Sequence, residues 1–143
     1  MASIYGKGAK GRATKLHAEM IRSIGSCERC YKTEGLQAAH IKSRSYSATR
    51  TLLNNAWCLC AKCHWHLTKN PEEHVAYIHM SWADEVFDIV KSWAEEGIRL
   101  DWPAMARGFN QKTWEEEYER LKQLKGTPLR EARAIEWREI TTE

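Results

Sequence analysis

The spacing of apolar residues changes along the chain, and each change predicts a different element. Leu16, Met20 and Ile24 recur at helical spacing before Gly25, so a short first helix is expected to begin near Ala13. Shorter apolar runs of a different kind follow it, and they predict strands rather than helices.

Two short apolar runs predict a pair of β-strands. LQAAHI at 36–41 and NAWCL at 55–59 are separated by a polar loop, and AKCHWHLT then predicts the start of a helix. In the second strand, alternation should place Trp57 and Leu59 on one face and Cys58 on the other. The expected order is therefore strand, loop, strand, helix.

The rest of the chain predicts helices. Pro71 is typical of a first helical position, and one long amphipathic helix over 72–96 is predicted by six apolar residues, Val75, Ile78, Trp82, Val86, Ile89 and Trp93. Two further helices are expected from Thr113 to Gly126 and from Thr127 onward. The long helix also offers a face through which a homodimer could form.

Charge is distributed unevenly between the two halves. From Met1 to Pro71 there are 12 Lys and Arg against 3 Asp and Glu, a net charge of +9, whereas the remainder carries −6. A positive field of this kind attracts the phosphates of nucleic acid. Residues 1–12, MASIYGKGAKGR, are basic and glycine-rich and predict a flexible arm along such a backbone. The tryptophans of the acidic half are expected to pack in the core rather than to stack on bases.

The chain contains no apolar run of the length that a signal peptide or a membrane helix requires. Its five cysteines are an odd number, and without a secretion signal they favour metal thiolates over disulfides. We therefore expect a cytoplasmic protein without a membrane partner.

Four of the cysteines form two Cys-x-x-Cys pairs, Cys27 with Cys30 and Cys60 with Cys63. Two such knuckles are typical of a closed, tetrahedral, structural zinc site, which would stabilise a domain with few strands. Cys58 occupies an inward position of the second strand and predicts a small buried apolar residue. It remains an alternative ligand in place of Cys60.

The motifs CERC, AAHI and NNAWCLCAKCHWHLT, with the order strand, loop, strand, helix, cover residues 27–70. This segment resembles the HNH endonucleases, the ββα-metal nuclease superfamily, because His40, Asn55 and His64 match the family's signature positions in type and spacing. RTLLNNAWCLCAKCHWHLTKN also looks like the recombination and junction-processing nucleases of bacteriophages. The resemblance implies an α+β fold, with a zinc-stabilised ββα-metal core over 13–70 and a helical extension over 71–143.

The resemblance also implies a metal-dependent DNA endonuclease that leaves 5′-phosphate and 3′-hydroxyl ends. His40 would be the general base, Asn55 would brace the loop beside it, and His64 would bind Mg²⁺ or Mn²⁺. Asn54 is the alternative to Asn55. The candidate phosphate contacts flank this site: Lys42, Arg44, Arg50, Lys62 and Lys69. If the protein is viral, its compartment would be the host cytoplasm.

The sequence departs from the family at two positions. Ala39 stands where an Asp or His commonly ligates the metal, and Thr68 stands where some members have His. His64 is therefore expected to be the only protein ligand, with poor metal affinity in the absence of DNA. His66 should point to nearly the opposite side of the helix, because two residues turn it by about 200°.

Ala39 also supports a second hypothesis, a non-catalytic, zinc-stabilised nucleic-acid-binding module.

Three other histidines, His17, His74 and His79, have no matching partners in the sequence. They are expected on the surface or on helix faces.

Overall fold

A computed structural model of the chain describes residues 8–43, 46, 49–96 and 114–141. Within these ranges the fold is α+β and rich in helix. The elements are, in chain order, α1 Gly8–Arg22, β1 Leu36–His40, a 3₁₀ turn Leu53–Asn55, β2 Ala56–Cys60, α2 Ala61–Lys69, α3 Pro71–Met80, a 3₁₀ turn Trp82–Glu85, α4 Phe87–Glu96, α5 Trp114–Leu124 and α6 Leu129–Thr141.

The two strands form an antiparallel hairpin with α2 directly after it. Leu36 pairs with Cys60 and His40 pairs with Ala56, so the base candidate lies at the end of β1 where the long loop begins. All five residues of β2 are buried because helices cover both of its faces. The predicted order of strand, loop, strand and helix is confirmed.

The alternation predicted for β2 divides the core into two clusters. Trp57 and Leu59 pack with Ile78 and Val90 from the helices that follow the hairpin. Cys58, on the other face, packs with α1, α5 and α6. The expected faces of β2 are therefore confirmed, and the sheet separates two apolar layers.

The first helix begins earlier than the sequence predicts. It starts at Gly8 rather than near Ala13, and Ala9 and Gly11 are buried. Residues 8–12 are therefore part of α1 and not of a flexible arm, because the small residues Ala9 and Gly11 let the helix pack closely. The rest of the predicted arm, residues 1–7, lies outside the described part of the chain. Gly25 has φ +85°, a conformation that suits glycine just beyond a helix end.

The long helix predicted over 72–96 is wrong, because the structure breaks it at Ser81. That residue is extended, and its hydroxyl accepts a hydrogen bond from the amide of Ala83, which caps a new turn. The break lets Trp82 turn inward and donate to Glu28 at 2.9 Å. A homodimer through residues 72–96 stays a prediction, but it has lost the continuous helical face on which it depended.

The two helices predicted after residue 112 are confirmed as α5 and α6. Leu121 and Leu129 pack against α1, and the four described tryptophans of this half, Trp82, Trp93, Trp114 and Trp137, contact the core as expected. Trp102 lies outside the described residues. In the described ranges no helix combines the length and the hydropathy needed to cross a membrane.

Candidate metal centre and catalytic cleft

Four cysteine sulfurs converge where the loop after α1 meets the start of α2. The sulfurs of Cys27, Cys30, Cys60 and Cys63 all lie within 4.8 Å of one another, and those of Cys30 and Cys60 are 3.5 Å apart. A zinc ion about 2.3 Å from each of four sulfurs, in tetrahedral geometry, needs sulfur–sulfur distances close to the shorter of these two values. The four cysteines are therefore positioned to bind a metal ion such as zinc.

The surrounding donors favour the thiolate form that metal binding requires. The backbone N–H of Cys30 points to the sulfur of Cys27 at 3.4 Å, and that of Cys63 points to Cys60 at 3.5 Å. Although burial opposes it, the backbone N–H donors lower the pKa of Cys27 to about 7. The guanidinium of Arg29 donates to the sulfur of Cys63 at 3.4 Å, but burial outweighs it and raises the pKa of that thiol to about 12. Because four thiolates this close repel one another, a cation is what would allow all four to ionise together.

Cys58 does not belong to this group. It is fully buried in the apolar cluster on the opposite face of β2, and burial raises the pKa of its thiol to about 11. Cys60, two residues further along the strand, points to the other three sulfurs. The choice of Cys60 over Cys58 as a ligand is therefore supported by the positions of the sulfur atoms.

A second feature is a cleft of about 300 Å³ between the end of β1 and the helices α2 and α3. It brings together residues that are far apart in the sequence, and it is lined by Ala39, His40, Ser43, Trp57, Leu59, His64, Leu67, Thr68, Pro71 and His74. Two of the three signature residues, His40 and His64, therefore face one space.

The ring of His40 is held by the loop between the strands. Its Nε2 atom lies 2.9 Å from the carbonyl oxygen of Arg50. A carbonyl can only accept, so Nε2 carries the proton of this bond and the lone pair of the neutral ring is on Nδ1. In this tautomer Nδ1 is the ring atom that can accept a proton.

His17 is not a surface residue, in contrast to the prediction. It is fully buried on α1 and stacks on His40, with ring centroids 5.2 Å apart and an interplanar angle of 29°. Its Nε2 donates to the carbonyl of Leu52 at 2.9 Å, while Nδ1 is buried without a hydrogen-bond partner among the described residues. The position of His17 on a mostly apolar face of α1 was the only sequence signal for its burial.

Asn55 ties the two ends of the interstrand loop together. Its side-chain oxygen accepts from the backbone amide of Lys42 at 2.8 Å, and its amide donates to the carbonyls of Lys42 at 2.9 Å and Thr49 at 3.0 Å. Asn54 instead points away, and its amide donates to Glu136 on α6 at 2.9 Å. Of the two asparagines, only Asn55 makes the contacts that bracing the loop beside His40 requires.

His64 faces the cleft from the first turns of α2, and His66 does not line it. The Nδ1 atom of His64 lies 2.7 Å from the side-chain oxygen of Gln37 on β1. Nδ1 therefore donates this bond, and the lone pair is on Nε2, as in histidines that ligate metals through Nε2. Burial also lowers the pKa of His64.

The cleft contains one histidine whose position the sequence analysis missed. His74 on α3 lines it together with His40 and His64, and its ring meets Trp57 edge-on at 5.3 Å. Nothing in the local sequence marks it, because α3 is brought to the cleft only by the turn at Asn70. The third histidine assigned to the surface, His79, is exposed as expected and pairs with Asp84 at 2.8 Å.

The candidate phosphate contacts fall into three groups. Lys42 pairs with Glu95 on α4, and Arg50 donates to the hydroxyl of Thr14 at 3.0 Å, so both help to hold the fold. Lys62 and Lys69 are exposed on α2. Arg44 lies outside the described residues.

A buried ionic network joins the C-terminal helices to the 3₁₀ turn that ends at Asn55. Arg120 donates to Glu117 at 2.7 Å and to Glu136 at 2.9 Å, and both carboxylates are fully buried. Glu136 also accepts the backbone amides of Leu53 and Asn54 at 3.0 Å each. The acidic half of the chain is thus a structural support of the 3₁₀ turn that ends at Asn55.

A second charged contact ties α6 to the first cysteine knuckle. Arg133 binds both carboxylate oxygens of Glu28, at 2.8 and 3.0 Å, and lies 4.1 Å from the ring of Trp82. Glu28 also accepts the backbone amide of Cys58 at 2.8 Å. Glu28 therefore fixes the knuckle, β2 and α6 relative to one another.

In comparisons with known proteins, no family model, no curated protein and no solved structure matches this chain.

Proposed function

We propose that the protein is a metal-dependent DNA endonuclease of the HNH type, with His40 as general base and His64 as ligand of a divalent cation. The observation that carries the proposal is that His40 and His64 line one cleft over a ββα unit, while Asn55 braces the loop whose carbonyl orients His40. The net charge of +9 on the first 71 residues supports DNA as the substrate.

In the proposed reaction, Nδ1 of His40 accepts a proton from water, whose oxygen attacks the phosphorus of a phosphodiester. The bond from phosphorus to the 3′ oxygen breaks, and the products carry a 5′ phosphate and a 3′ hydroxyl. A divalent cation, Mg²⁺ or Mn²⁺, would neutralise the scissile phosphate and the leaving oxygen. Nε2 of His64 is the donor that this chain offers to the ion, and DNA phosphate and water would supply the others.

We further propose that the ion held by the four cysteines is a structural zinc. Four sulfur ligands complete a tetrahedral shell and leave no position for a reacting water. The site joins Cys27 and Cys30, which precede the hairpin, to Cys60 and Cys63, which follow it. A zinc ion there would close a loop of the unfolded chain and stabilise a sheet of only two strands.

The alternative is a zinc-stabilised module that binds DNA without cutting it. Its support is the composition of the cleft, since none of the described residues that line it is an Asp or Glu. Ala39 occupies the position next to the base where a second ligand would be expected. Both functions predict salt-sensitive DNA binding, so only turnover separates them.

The deciding experiment is cleavage of supercoiled plasmid with Mg²⁺, with Mn²⁺ and without added divalent cation. The wild type is expected to produce nicked or linear DNA only with a cation. His40→Ala and His40→Gln are expected to cut about 10² to 10⁴-fold more slowly, the usual contribution of a positioned base. The Gln variant keeps an amide donor for the Arg50 carbonyl, so it separates loss of the base from loss of the fold.

His66→Ala is the matched control, because His66 lies on the same helix but does not line the cleft. It should cut at close to the wild-type rate. If the wild type binds plasmid but never cuts it, the protein is the binding module instead. If both His40 variants cut normally while folded, His40 is not the general base and the HNH assignment fails.

A further inference from the structure

The exposed surface of α2 carries an aromatic side chain that the proposed chemistry does not use. Trp65 is 63% exposed, whereas Trp57 and Trp93 are buried and the other described tryptophans are partly buried against the core. No described residue makes a ring contact or a cation–π contact with Trp65. A single exposed apolar residue is common on protein surfaces, so its neighbours must decide whether it has a role.

Those neighbours are cationic on one side and belong to the cleft on the other. Lys62 and Lys69 lie three residues before and four residues after Trp65, so all three share one face of the helix. His64 and Thr68 lie at the adjoining edge of that face and line the cleft. The exposed surface of α2 thus runs from the cleft through an indole ring to two ammonium groups.

Both lysines are available for an external anion. They are exposed, and within the described ranges neither of them forms an ion pair. An indole flanked by ammonium groups complements a nucleotide, because the ring stacks on a base while the charges bind the phosphates on either side. A protein partner would be less well matched, since charged groups are depleted at the centres of protein interfaces.

We propose that Trp65 is a stacking platform for an unpaired base beside the scissile phosphate, and that the substrate is DNA with unstacked nucleotides at the cut. In regular duplex DNA the bases are stacked on one another, so an indole on a surface helix cannot reach their faces. An unpaired base exposes its π-face and can lie on Trp65 while its phosphates contact Lys62 and Lys69. This inference names the substrate class of the proposed nuclease and rests on that function.

The test is binding of two labelled oligonucleotides, followed by fluorescence anisotropy without Mg²⁺ and without chelator, so that the cysteine site is left intact. One oligonucleotide is a fully paired duplex, and the other is the same duplex interrupted by a short unpaired segment. The wild type is expected to bind the interrupted duplex more tightly. Trp65→Ala should weaken that binding by about 5- to 150-fold, the usual contribution of one stacked base, and should change the paired duplex by less than about 2-fold.

Three variants serve as controls. Trp65→Phe keeps an aromatic face and should retain most of the preference. Lys62→Ala should weaken both oligonucleotides and lower the salt dependence, because it removes a phosphate contact. Met80→Ala removes another exposed apolar side chain, 83% exposed on α3, and should change neither affinity.

The inference is overturned if Trp65→Ala binds both oligonucleotides like the wild type, or loses affinity for both to the same extent. It is also overturned if the only effect is on self-association measured by sedimentation, since Trp65 would then be a protein contact. A protein that shows the Trp65-dependent preference but cuts neither plasmid nor the interrupted duplex when Mg²⁺ or Mn²⁺ is added would keep the stacking contact and refute the nuclease. A protein that cuts DNA but shows no Trp65-dependent preference would keep the nuclease and refute this inference.

Discussion

His17 and His40 stack on each other with ring centroids 5.2 Å apart, and both are held by the same loop. The Nε2 atom of His17 donates to the carbonyl of Leu52, and that of His40 donates to the carbonyl of Arg50, each at 2.9 Å. One buried ring on α1 therefore supports the ring that faces the cleft. Burial and then the neighbouring His40 lower the pKa of His17, so the buried ring is favoured as a neutral imidazole.

This pair predicts a specific loss of stability in acid. Burial, followed by the nearby His40, lowers the pKa of His17 well below 6.5. The unfolded chain therefore binds a proton at His17 before the folded chain does, and the free energy of unfolding falls as the pH drops below about 6.5. The contribution of His17 to this fall approaches about 1.4 kcal/mol per pH unit until the folded residue itself protonates.

His17→Gln tests this dependence, because glutamine keeps an N–H donor for Leu52 but does not titrate. Urea unfolding of both proteins between about pH 7.5 and pH 5.5 should show a shallower pH dependence for the variant. Histidines that do not contact His17, and the cysteine site, contribute equally to both proteins. Parallel pH profiles would mean that His17 does not titrate on unfolding.

The cysteine geometry predicts which single substitution removes the metal. Cys60→Ser should lose a tightly held zinc ion and with it much of the fold, since the ligand belongs to the four-sulfur group. Cys58→Ser is the matched control two residues away on β2. It should retain about one zinc per chain, although burying a hydroxyl there should lower the melting temperature.

Elemental analysis of the purified variants, together with thermal unfolding, measures both effects. Zinc loss in Cys58→Ser with retention in Cys60→Ser would invert the ligand assignment. Zinc loss in neither variant would show that the ion is held elsewhere.

The hydrogen bonds of Asn55 across the interstrand loop predict that Asn55→Asp lowers stability and cleavage, although the two side chains have nearly the same shape. The amide of Asn55 donates to two carbonyls, those of Lys42 and Thr49, and a carboxylate cannot donate to either. The variant should lose about 2–4 kcal/mol of unfolding free energy, because buried acceptors lose their donors and a charge is buried beside them. Plasmid cleavage should fall in parallel as His40 loses its orienting loop.

Urea unfolding and cleavage at saturating cation are the two measurements. A variant that keeps wild-type stability and wild-type cleavage would remove Asn55 from the site. A variant that stays stable but no longer cuts would give Asn55 a more direct role than bracing.

The buried ionic network predicts a large difference between two glutamates of the acidic half. Glu136 accepts bonds from Arg120 and from the amides of Leu53 and Asn54, all without exposure to solvent. Glu136→Gln should lower the free energy of unfolding by about 3–5 kcal/mol, because the guanidinium remains buried without one of its two counter-charges.

Glu119→Gln is the control, since Glu119 pairs with Lys122 on the exposed side of α5, with 62% and 47% of the side chains exposed. It should change the free energy of unfolding by less than about 0.5 kcal/mol. Equal effects of the two substitutions in urea unfolding would mean that α6 does not support the loop in solution.

Local patterns in the sequence were sufficient for the cysteine pairs, for the ββα order and for the faces of β2. Each depends on an interaction within a few residues: two sulfurs from one tight turn, or side chains that alternate along a strand with a period of two. Cys58 and Cys60 are two residues apart on β2, so alternation alone does not separate them, and the tertiary structure decides that Cys60 joins the other three sulfurs.

The tertiary structure alone decided the features that depend on distant pairings. Asn54 and Asn55 are neighbours of the same type, and only the positions of α6 and of the loop at Lys42 give them different partners. The local sequence does not show that His17 stacks under His40 or that His74 lines the cleft, because helices far away in the sequence bring them there. The periodicity over 72–96 continues across Ser81, but the inward turn of Trp82 toward Glu28 breaks the helix there. The spacing of apolar residues predicts which side chains are buried. Only the packing of the whole chain decides which elements those side chains pack against.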